Sequence, residues 1–575
     1  MPGLLAVPLL WFTCLTAPIA PPSPPTFAAF VDAYFDSLFA FAPSLGTAAG
    51  LHQYDARLED RTATAIGRRI GTLHGQLAQL DALRRGPLAG DDSIDAAMLD
   101  GALRAELLDA EVIGNWRRNP ITYVSLGGNA VDLLMKRDFA PPLERLQSVT
   151  ARLASIPAVL LAMRANVAKP PKEFTDLAIQ VARGSVGFFR DDVARWAKGA
   201  AAGDTAALNA FTETNNYVVQ AMQDAADWLA RDLSKRSTGS FAIGATAFAD
   251  KLRYEEMVDI PLDRLLALGE ANLAKDRAAF LETAALVAPG KTPAQAMATL
   301  EADHPTKATL LEATRATLEG TRQFLIDHQI VDIPSEVRPI VAETPPYARV
   351  GTFASMDTPG AFETKATEAF YYVTPVEADW DSAHAEEHLR LYNRAVMSII
   401  TIHEAFPGHY LQFLYVKQFP TKTRKLLYAN TNVEGWAHYG EQMIVDEGFG
   451  GNDPRTRLAQ LQEALLRDCR WVAGIKEHTQ GLSVADAAKQ YFTDQCFQQP
   501  ANAFEEARRG TYDPIYLYYS FGKLAIYKLR ADYQKLKGSA FTLRDFHDKF
   551  AQQGGVPIKL MRRILMPGDT AAVLE

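Results

Sequence analysis

Hydrophobic residues recur at helical spacing along most of the chain. Three segments show this spacing, and each is predicted to form an amphipathic helix. The buried face of the first carries Leu143, Leu146, Val149 and Leu153, that of the second Leu262, Leu265, Leu266 and Leu273, and that of the third Leu458, Leu461, Leu465 and Val472. The alternation that marks β-strands is scarce. No internal repeat of fixed period is present, which argues against a helical solenoid. The pattern predicts a mainly α-helical fold.

The main exception lies in residues 338–375. Two segments there have extended character, one beginning at Gly351 (Gly-Thr-Phe-Ala) and one at Phe370 (Phe-Tyr-Tyr-Val-Thr-Pro). Between them stands Asp357-Thr-Pro-Gly, whose proline and glycine favour a turn. We therefore expect a small antiparallel β element just before the region that carries the chemistry.

The first residues of the chain have the composition of an export sequence. Residues 1–20 contain no charged side chain, and Pro8 and Pro18 interrupt them, which leaves the run short of the ~20 apolar residues that span a membrane. The Lys or Arg that normally precedes such a run is missing. We predict a signal peptide and proline-rich start over 1–24 and export to the periplasm or medium, with a cytoplasmic location left open.

The remainder, 25–575, shows no Gly/Ser-rich linker and no further stretch long enough to cross a membrane. It is therefore predicted to be one helical unit without a transmembrane segment. The 59 Lys and Arg against 68 Asp and Glu give a net charge of -9 with no basic cluster, which excludes a nucleic-acid partner. Three cysteines are too few for a disulfide framework. Cys469 and Cys496 are expected to be two buried thiols, and one bridge between them stays open.

A candidate metal motif follows the β element. Asp381 or Ser382 is a good N-cap, and a long helix is predicted from there toward Phe406. Near its end stands His403-Glu404-Ala-Phe-Pro-Gly-His409. Zinc peptidases commonly carry His-Glu-x-x-His, in which two histidines four residues apart bind the metal and the glutamate is the general base. Here the histidines are six residues apart.

The wider spacing requires a break in the helix. Six residues correspond to roughly 240° of rotation on an unbroken helix, so the two rings would point apart. Pro407 cannot donate the helical hydrogen bond to residue 403, and Gly408 permits angles outside the helical range. A bulge at these two residues would return His409 to the side of His403. The motif predicts a metal site only if that bulge exists.

A third ligand is expected from Asn430-Thr-Asn-Val-Glu434-Gly-Trp-Ala-His438-Tyr-Gly-Glu441. Asn432 is expected to cap a helix that carries Glu434, His438 and Glu441 on one face. Catalytic zinc commonly has two His, one Glu and an open position, so Glu434 is the natural third ligand of one Zn²⁺. His438 is either a partner that orients a ligand or an alternative ligand, and an ordinary histidine on the helix face is an equal alternative.

A second histidine pair competes with this motif. His384-Ala-Glu-Glu-His388 matches the inverted pattern His-x-x-Glu-His. It lies in a polar first turn, and on a continuous helix His388 and His403 would be roughly 22 Å apart. The two motifs therefore cannot serve one metal, and the inverted pattern lacks a convincing downstream glutamate.

Taken together, these segments resemble a known family. The stretches beginning at Ala369 (Ala-Phe-Tyr-Tyr-Val-Thr-Pro), Ile402 (Ile-His-Glu-Ala-Phe-Pro-Gly-His-Tyr-Leu-Gln), Glu434 (Glu-Gly-Trp-Ala-His-Tyr) and Asp513 (Asp-Pro-Ile-Tyr-Leu-Tyr-Tyr-Ser-Phe-Gly-Lys) resemble the bacterial domain-of-unknown-function family numbered 885. That family is similar to the gluzincin metallopeptidases, relatives of thimet oligopeptidase and the thermostable carboxypeptidases. The resemblance implies a mostly helical body with a deep channel and a zinc site on its wall.

Carried over residue by residue, the resemblance makes His403 and His409 zinc ligands, Glu404 the general base and Glu434 the third ligand, all within 403–434. It also points to Tyr519 as a donor to the oxyanion, with Tyr516 as the neighbouring candidate. Aromatic core packing is an equal alternative for both tyrosines.

Two adjacent arginines are candidates for binding substrate. Arg508 and Arg509 could receive a substrate carboxylate, since guanidinium groups bind carboxylates with two parallel bonds. The alternative for this pair is ordinary surface charge.

The expected function is zinc-dependent hydrolysis of peptide bonds in short peptides. An extended peptide could pair with the segment around Phe353 or Tyr371 as an added strand. Two alternatives stay open: a metal-dependent hydrolase of a non-peptide amide or ester, and a zinc-holding scaffold without turnover.

Overall fold

The computed structural model describes residues 26–345, 349, 353–377 and 380–574. The predicted signal peptide and Cys14 lie outside the described residues. Over the described ranges helices dominate, with a single small sheet, so the prediction of a mainly α-helical fold is confirmed.

The first helices form an N-terminal cluster. They are α1 (Phe27–Phe41), α2 (Pro43–Ala48), α3 (Ala63–Arg84) and α4 (Gly90–Leu107). Aromatic residues on one side of α1 and leucines of α3 and α4 share a hydrophobic core, to which Leu426 and Leu427 from far along the chain also contribute.

A second group of helices packs around its own core. It contains α5 (Asn115–Arg118), α6 (Ile121–Met135), α7 (Pro142–Asn166), α8 (Lys172–Gly187), α9 (Ala194–Ala200) and α10 (Thr205–Arg231). Leu146, Val149 and Leu153 on α7 are buried as their spacing predicts, while Leu143 is partly exposed.

Helix α7 also has the length and composition of a membrane span. It has 25 residues and a mean hydropathy of 1.4 over its most apolar window, of which half is buried inside the protein. Arg145 and Arg152 lie within it and are buried among backbone carbonyls of neighbouring segments. These contacts are those of a core helix.

The remaining helices build the largest core. Before the sheet come α11 (Gly244–Glu255), α12 (Leu262–Val287), α13 (Pro293–Glu301) and α14 (Leu310–Asp327). After it come α15 (Ser382–Leu391), α16 (Arg394–Glu404), α17 (His409–Leu414), α18 (Lys422–Leu426), α19 (Asn430–Asp446), α20 (Pro454–Thr479), α21 (Val484–Ala487), α22 (Pro500–Tyr512), α23 (Tyr518–Lys537), α24 (Leu543–Ala551) and α25 (Ile558–Leu565).

Helices α19 and α20 lie at the centre of this core because glycines let their neighbours approach closely. A Cβ on Gly435 of α19 would lie 2.6 Å from the backbone of Gly522 on α23. A Cβ on Gly269 of α12 would lie 2.8 Å from the Trp471 ring on α20. The first contact brings the helix that carries Glu434 against the helix that carries Tyr519, and the second brings α12 against α20.

The sheet has three short strands, β1 (Ile340–Glu343), β2 (Ala354–Asp357) and β3 (Phe370–Val373), in the order β1-β3-β2. Strand β2 pairs antiparallel with β3, which confirms the predicted antiparallel element. Strand β1 adds a parallel partner on the other side of β3, which the pattern did not predict. Among the strands that the structure describes, β2 therefore lies at an edge of the sheet.

Cys469 and Cys496 form a disulfide bond. This corrects the expectation of two separate thiols. Both residues are fully buried, where α20 packs against the turn that follows α21, so burial was predicted and the pairing was not.

Candidate metal centre

Two histidines and one glutamate converge beside the sheet. The Nε2 atom of His403 lies 3.4 Å from Oε2 of Glu434, and Nε2 of His409 lies 3.5 Å from the same oxygen. One donor atom from each residue lies within 4.8 Å of the other two. In the part of the chain that the structure describes, no other three His, Cys, Asp or Glu side chains are grouped in this way. We call these residues the triad.

The helix leading to the triad differs from the one expected. The predicted long helix is interrupted: α15 ends at Leu391, and the side chain of Asn393 caps α16 by accepting from the Val396 N–H at 3.0 Å. Asp381 caps α15 as expected. The helix is interrupted because the Asn393 side chain accepts a backbone hydrogen bond, which competes with the backbone hydrogen bonds of a continuous helix.

The break required by the six-residue spacing is present. Helix α16 ends at Glu404, α17 begins at His409, and the Gly408 N–H donates to the Ile402 carbonyl at 3.0 Å. That bond spans six residues instead of the helical four, so the chain makes one wide turn. The rings of His403 and His409 consequently lie 4.9 Å apart between centroids.

Glycine and a buried tryptophan hold this turn. A Cβ on Gly408 would lie 1.7 Å from the carbonyl oxygen of His403, so only glycine fits. The indole N–H of Trp436 on α19 donates to the Pro407 carbonyl at 2.7 Å. Gly440, one turn further along α19, faces the Pro407 ring, where a Cβ would lie 3.1 Å from it.

Helix α19 begins earlier than predicted. Asn430 is its first residue, so Asn432 lies inside the helix and does not cap it. The Asn432 amide instead donates to the Val556 carbonyl at 2.7 Å, anchoring α19 to the loop before α25. This shift leaves Glu434 on the face that meets both histidines.

A buried carboxylate orients His403 from behind. Nδ1 of His403 lies 2.7 Å from Oε1 of Glu441, while Nδ1 of His438 lies 3.0 Å from its Oε2. The Arg467 guanidinium lies 3.3 Å from Oε1. Burial opposes ionisation of Glu441, yet Arg467 and the histidines hold its pKa well below the usual range. His438 therefore acts behind His403 and is not grouped with the triad.

The donor set suits a metal ion. Two ligand atoms at zinc–ligand distances of 2.0–2.1 Å and a tetrahedral angle are about 3.3 Å apart, close to the separations found at Glu434. Oε2 of Glu434 is buried and makes no hydrogen bond in the described structure, which is costly for a carboxylate unless a cation occupies the gap. Metal-binding histidines usually donate their other N–H to a carboxylate, as His403 does to Glu441.

The two histidines of the triad favour the ionised form of Glu434. Although burial raises the pKa of Glu434, His409 and His403 hold it well below its usual range. Burial also opposes charging of His403, but Glu434 and Glu441 raise its pKa to about 9. Side-chain exposures of 19% for His409 and 23% for Glu434 leave the triad reachable from solvent.

Glu404 lies beside the triad at the end of α16. Its Oε2 accepts the Met356 backbone N–H of edge strand β2 at 2.9 Å. The two segments expected to pair with a peptide instead make contacts within the protein. Tyr371 lies buried in the central strand, and the Phe353 carbonyl already accepts from Tyr392. The strand edge that faces the site is that of Met356.

Tyr519 is the tyrosine that reaches the triad. Its ring centroid lies 6.2 Å from that of His403, and its hydroxyl accepts from Arg509 at 3.2 Å. Burial and Glu434 raise the pKa of Tyr519, so the phenol keeps its proton. Tyr516 instead packs in the core, its ring within 2.6 Å of where a Cβ on Gly474 would lie.

The two adjacent arginines have separate roles. Arg508 pairs with Glu505 and donates to Gln180, so it is bound on the outer side of α22. Arg509 pairs with Asp513 at 3.2 Å and supports Tyr519. Both guanidinium groups are thus paired with acidic side chains of the chain itself, and their role in binding a substrate carboxylate stays a prediction.

Within the described ranges, the inverted histidine motif forms no comparable group. His384 stacks on Trp380 with centroids 4.0 Å apart, and His388 contacts the Thr374 carbonyl at 2.9 Å. Glu387 lies exposed on α15.

A cavity of about 420 Å³ opens next to the triad. It is lined by His409 and Met356 and by apolar side chains that include Phe413, Leu427 and Val433. Its volume lies within the range typical of small-ligand sites.

Two residues of the site were not predicted from the sequence. Arg467 on α20 contacts Glu441, and its guanidinium lies 5.5 Å from the Tyr519 ring centroid. Met356 contributes a backbone N–H, which no side-chain motif can reveal.

Comparison with known proteins gives a family and a fold. The family model described as "Bacterial protein of unknown function (DUF885)" matches residues 43–565. A candidate lipoprotein of unknown function from Shewanella oneidensis is similar to this chain at 27% identity and a TM-score of 0.79, covering 94% of this chain and 100% of its own. A candidate lipoprotein from Colwellia psychrerythraea shares the fold at 17% identity and a TM-score of 0.77, over 94% and 98%. No curated protein matches.

Proposed function

Since the chain belongs to the DUF885 family of bacterial proteins, whose function is unknown, we propose a function from the site itself: zinc-dependent hydrolysis of peptide bonds in short peptides. We also propose that the protein is similar to the gluzincin metallopeptidases, in which a glutamate directly follows the first metal-binding histidine.

One observation carries this proposal. Two imidazole nitrogens face one buried carboxylate oxygen that makes no hydrogen bond to the described residues, and a second glutamate, Glu404, ends helix α16 directly after His403. Two histidines and one glutamate make up the protein ligands of many catalytic zinc sites, in which a fourth position stays open. His403, His409 and Glu434 would hold the ion.

The chain's own residues divide the proton chemistry. Zinc, when bound, lowers the pKa of water and polarises a carbonyl group. Glu404 takes the proton from the attacking water and later delivers it to the leaving amine. The Met356 N–H, now bonded to Glu404, holds that carboxylate beside the triad.

Tyr519 is the donor for the negative charge that develops on the carbonyl oxygen. Its phenol keeps a proton to donate, and Arg509 fixes its position through the 3.2 Å bond to the hydroxyl oxygen. A donor placed in advance at the position where charge develops lowers the barrier without reorganisation.

The surroundings favour a peptide as substrate. Strand β2 presents an edge to the site, and an extended peptide can add to such an edge through backbone hydrogen bonds. Apolar side chains of the 420 Å³ cavity would receive a substrate side chain. We propose that the substrate reaches the triad through a deep channel along this strand edge and cavity.

We also propose that the protein is exported. The Cys469–Cys496 bond is of a kind that persists in oxidising compartments. The similar protein from Shewanella oneidensis is itself described as a candidate lipoprotein, a class that is exported.

The decisive experiment compares the wild type with Glu404→Gln. Both proteins are stripped of metal, reloaded with zinc, and assayed on a peptide library by mass spectrometry. Zinc content should stay at one ion per chain in both, and hydrolysis should fall about 10²- to 10⁴-fold in the variant. Glu387→Gln is the matched control, because that glutamate is exposed on α15 in the inverted motif.

The alternatives have distinct outcomes. Cleavage of small amides or esters but not of peptides would favour a different hydrolase. Full activity in zinc-loaded Glu404→Gln would refute the mechanism, and undiminished zinc in His403→Ala would refute the site. Bound zinc with no hydrolysis of any compound would indicate a scaffold.

A further inference from the structure

A second, largely enclosed cavity of about 190 Å³ lies near the metal centre. Its walls come from α5, α11, the start of α19 and the connection between α22 and α23. The polar side chains that decide its chemistry are Arg118, Lys251, Asn430 and Asp513. The volume is below the range of sites for drug-sized ligands, so it suits a small group such as the end of a chain.

Two connections join this cavity to the triad. Asn430 lies four residues before Glu434 on α19, a rise of about 6 Å along the helix. Tyr518 lines the cavity, and the next residue, Tyr519, lies beside His403. A short segment of extended peptide, at about 3.3 Å per residue, therefore spans from the triad into the cavity.

Most charges in the cavity wall are already balanced. Lys251 pairs with Glu255 at 2.5 Å, and Asp513 pairs with Arg509 at 3.2 Å. These pairs leave Arg118 as the charge that decides which ligand the cavity accepts.

Among the described residues, Arg118 has no carboxylate partner. No described carboxylate oxygen lies within the 4.0 Å of an ion pair from its guanidinium, which donates to the Ser240 carbonyl. Asp109 influences it from a longer distance and is itself bonded to Asn115. Burial lowers the pKa of Arg118, a sign that its charge is poorly compensated.

A carboxylate is the ligand that matches these groups. A guanidinium binds a carboxylate through two parallel charge-assisted bonds. The Asn430 side-chain amide makes no hydrogen bond to the described residues and can donate another. Arg508 and Arg509 were the arginines expected to receive a carboxylate, but their own acidic neighbours occupy them.

We propose that this cavity binds the free C-terminal carboxylate of a peptide substrate, with Arg118 as its charged partner, so that the protein releases short fragments from C-termini. The inference rests on the proposed peptidase function. In the reaction, water adds hydroxyl to the scissile carbonyl carbon, the C–N bond breaks, and the new amine of the released fragment gains the proton.

The first test compares one peptide in two forms, with a free C-terminus and with a C-terminal amide. The zinc-loaded wild type should cleave the acid with a kcat/KM about tenfold to hundredfold higher, the value of a hydrogen-bonded charge. In Arg118→Gln this ratio should fall toward one, and Arg118→Lys should restore part of it. Arg117→Gln is the matched control, since its exposed side chain lies over Trp116 on the same helix.

A second test does not depend on catalysis. Binding of the two peptides to zinc-loaded Glu404→Gln is measured by calorimetry, with and without the additional Arg118→Gln change. The acid should bind at least tenfold more tightly than the amide, and the second change should abolish the difference. Circular dichroism and the thermal midpoint establish that each variant is folded.

Several results would overturn the inference. One is equal cleavage of acid and amide by the wild type, with cuts far from the C-terminus. Another is unchanged discrimination in folded Arg118→Gln. If neither peptide is cleaved but the acid binds through Arg118, the peptidase proposal fails while the carboxylate site stands.

Discussion

Replacing Glu441 by Gln tests whether the triad is a metal centre in which Glu441 orients His403. The substitution keeps the volume of a fully buried side chain and removes its charge. Three donors point at this carboxylate, from His403, His438 and Arg467. A glutamine offers one acceptor oxygen and one NH₂ group, so at least one of the donors would face another donor.

The expected loss can be estimated from these contacts. Changing the carboxylate that orients a metal-binding histidine typically lowers metal affinity about 10- to 100-fold, or about 1.4 to 2.7 kcal/mol. Because the 2.7 Å bond to His403 is short and buried, we expect the loss of metal affinity in Glu441→Gln to lie toward the upper end of this range. Leaving a buried charge less compensated should also lower the free energy of unfolding by about 3 kcal/mol.

Zinc affinity is measured by competition with a chelator of known affinity, at one pH and one ionic strength. Glu463→Gln is the matched control. Glu463 also pairs with Arg467, at 2.6 Å, but does not contact His403. We expect its zinc affinity to change less than about threefold, because the bond between Glu441 and His403 stays intact.

Two outcomes would refute the reasoning. Unchanged zinc affinity in folded Glu441→Gln would show that the buried carboxylate does not support a metal ligand. Equal losses in both glutamine variants would mean that Arg467, and not the bond to His403, transmits the effect.

Three further predictions concern the turn, the disulfide and the core. Gly408→Ala places a Cβ 1.7 Å from the His403 carbonyl oxygen, so zinc affinity should fall at least about tenfold and the thermal midpoint should drop. Replacing Cys469 and Cys496 together by Ala opens a loop with a sequence separation of 27, which should lower the free energy of unfolding by about 3.5 kcal/mol in urea titrations. Burial lowers the pKa of His547 from 6.5 to about 3, so the unfolded chain binds more protons between these values and stability is lost as pH falls through them. In His547→Gln the slope of unfolding free energy against pH should therefore be shallower by about 1.4 kcal/mol per pH unit between pH 6 and 4.

Local features of the site were predictable from the sequence. The six-residue spacing of His403 and His409 demanded a break, and Pro407-Gly408 identified where it lies. The burial of Leu458 and Val472 followed from helical periodicity. Each of these depends on residues close together in the chain, where propensity and periodicity carry information.

Long-range contacts were not predictable in this way. Asn432 has the side chain of a helix cap, but the loop before α25 binds its amide and α19 begins two residues earlier. Arg467 reaches Glu441 only because α20 packs against α19. Strand β1 pairs with β3, and no alternation of apolar and polar residues in the sequence predicted this strand.

The wide turn explains how two histidines six residues apart can face one carboxylate oxygen. Both the Gly408 N–H and the Leu411 N–H donate to carbonyls six residues earlier, those of Ile402 and Ala405. The backbone thus stays hydrogen-bonded through the break, and the second histidine starts a new helix. A ligand at a helix start is positioned by what packs against the turn, here Trp436 of α19. Because α19 also carries Glu434, the same helix that supplies the third donor fixes the second, which couples all three positions to one packing interface.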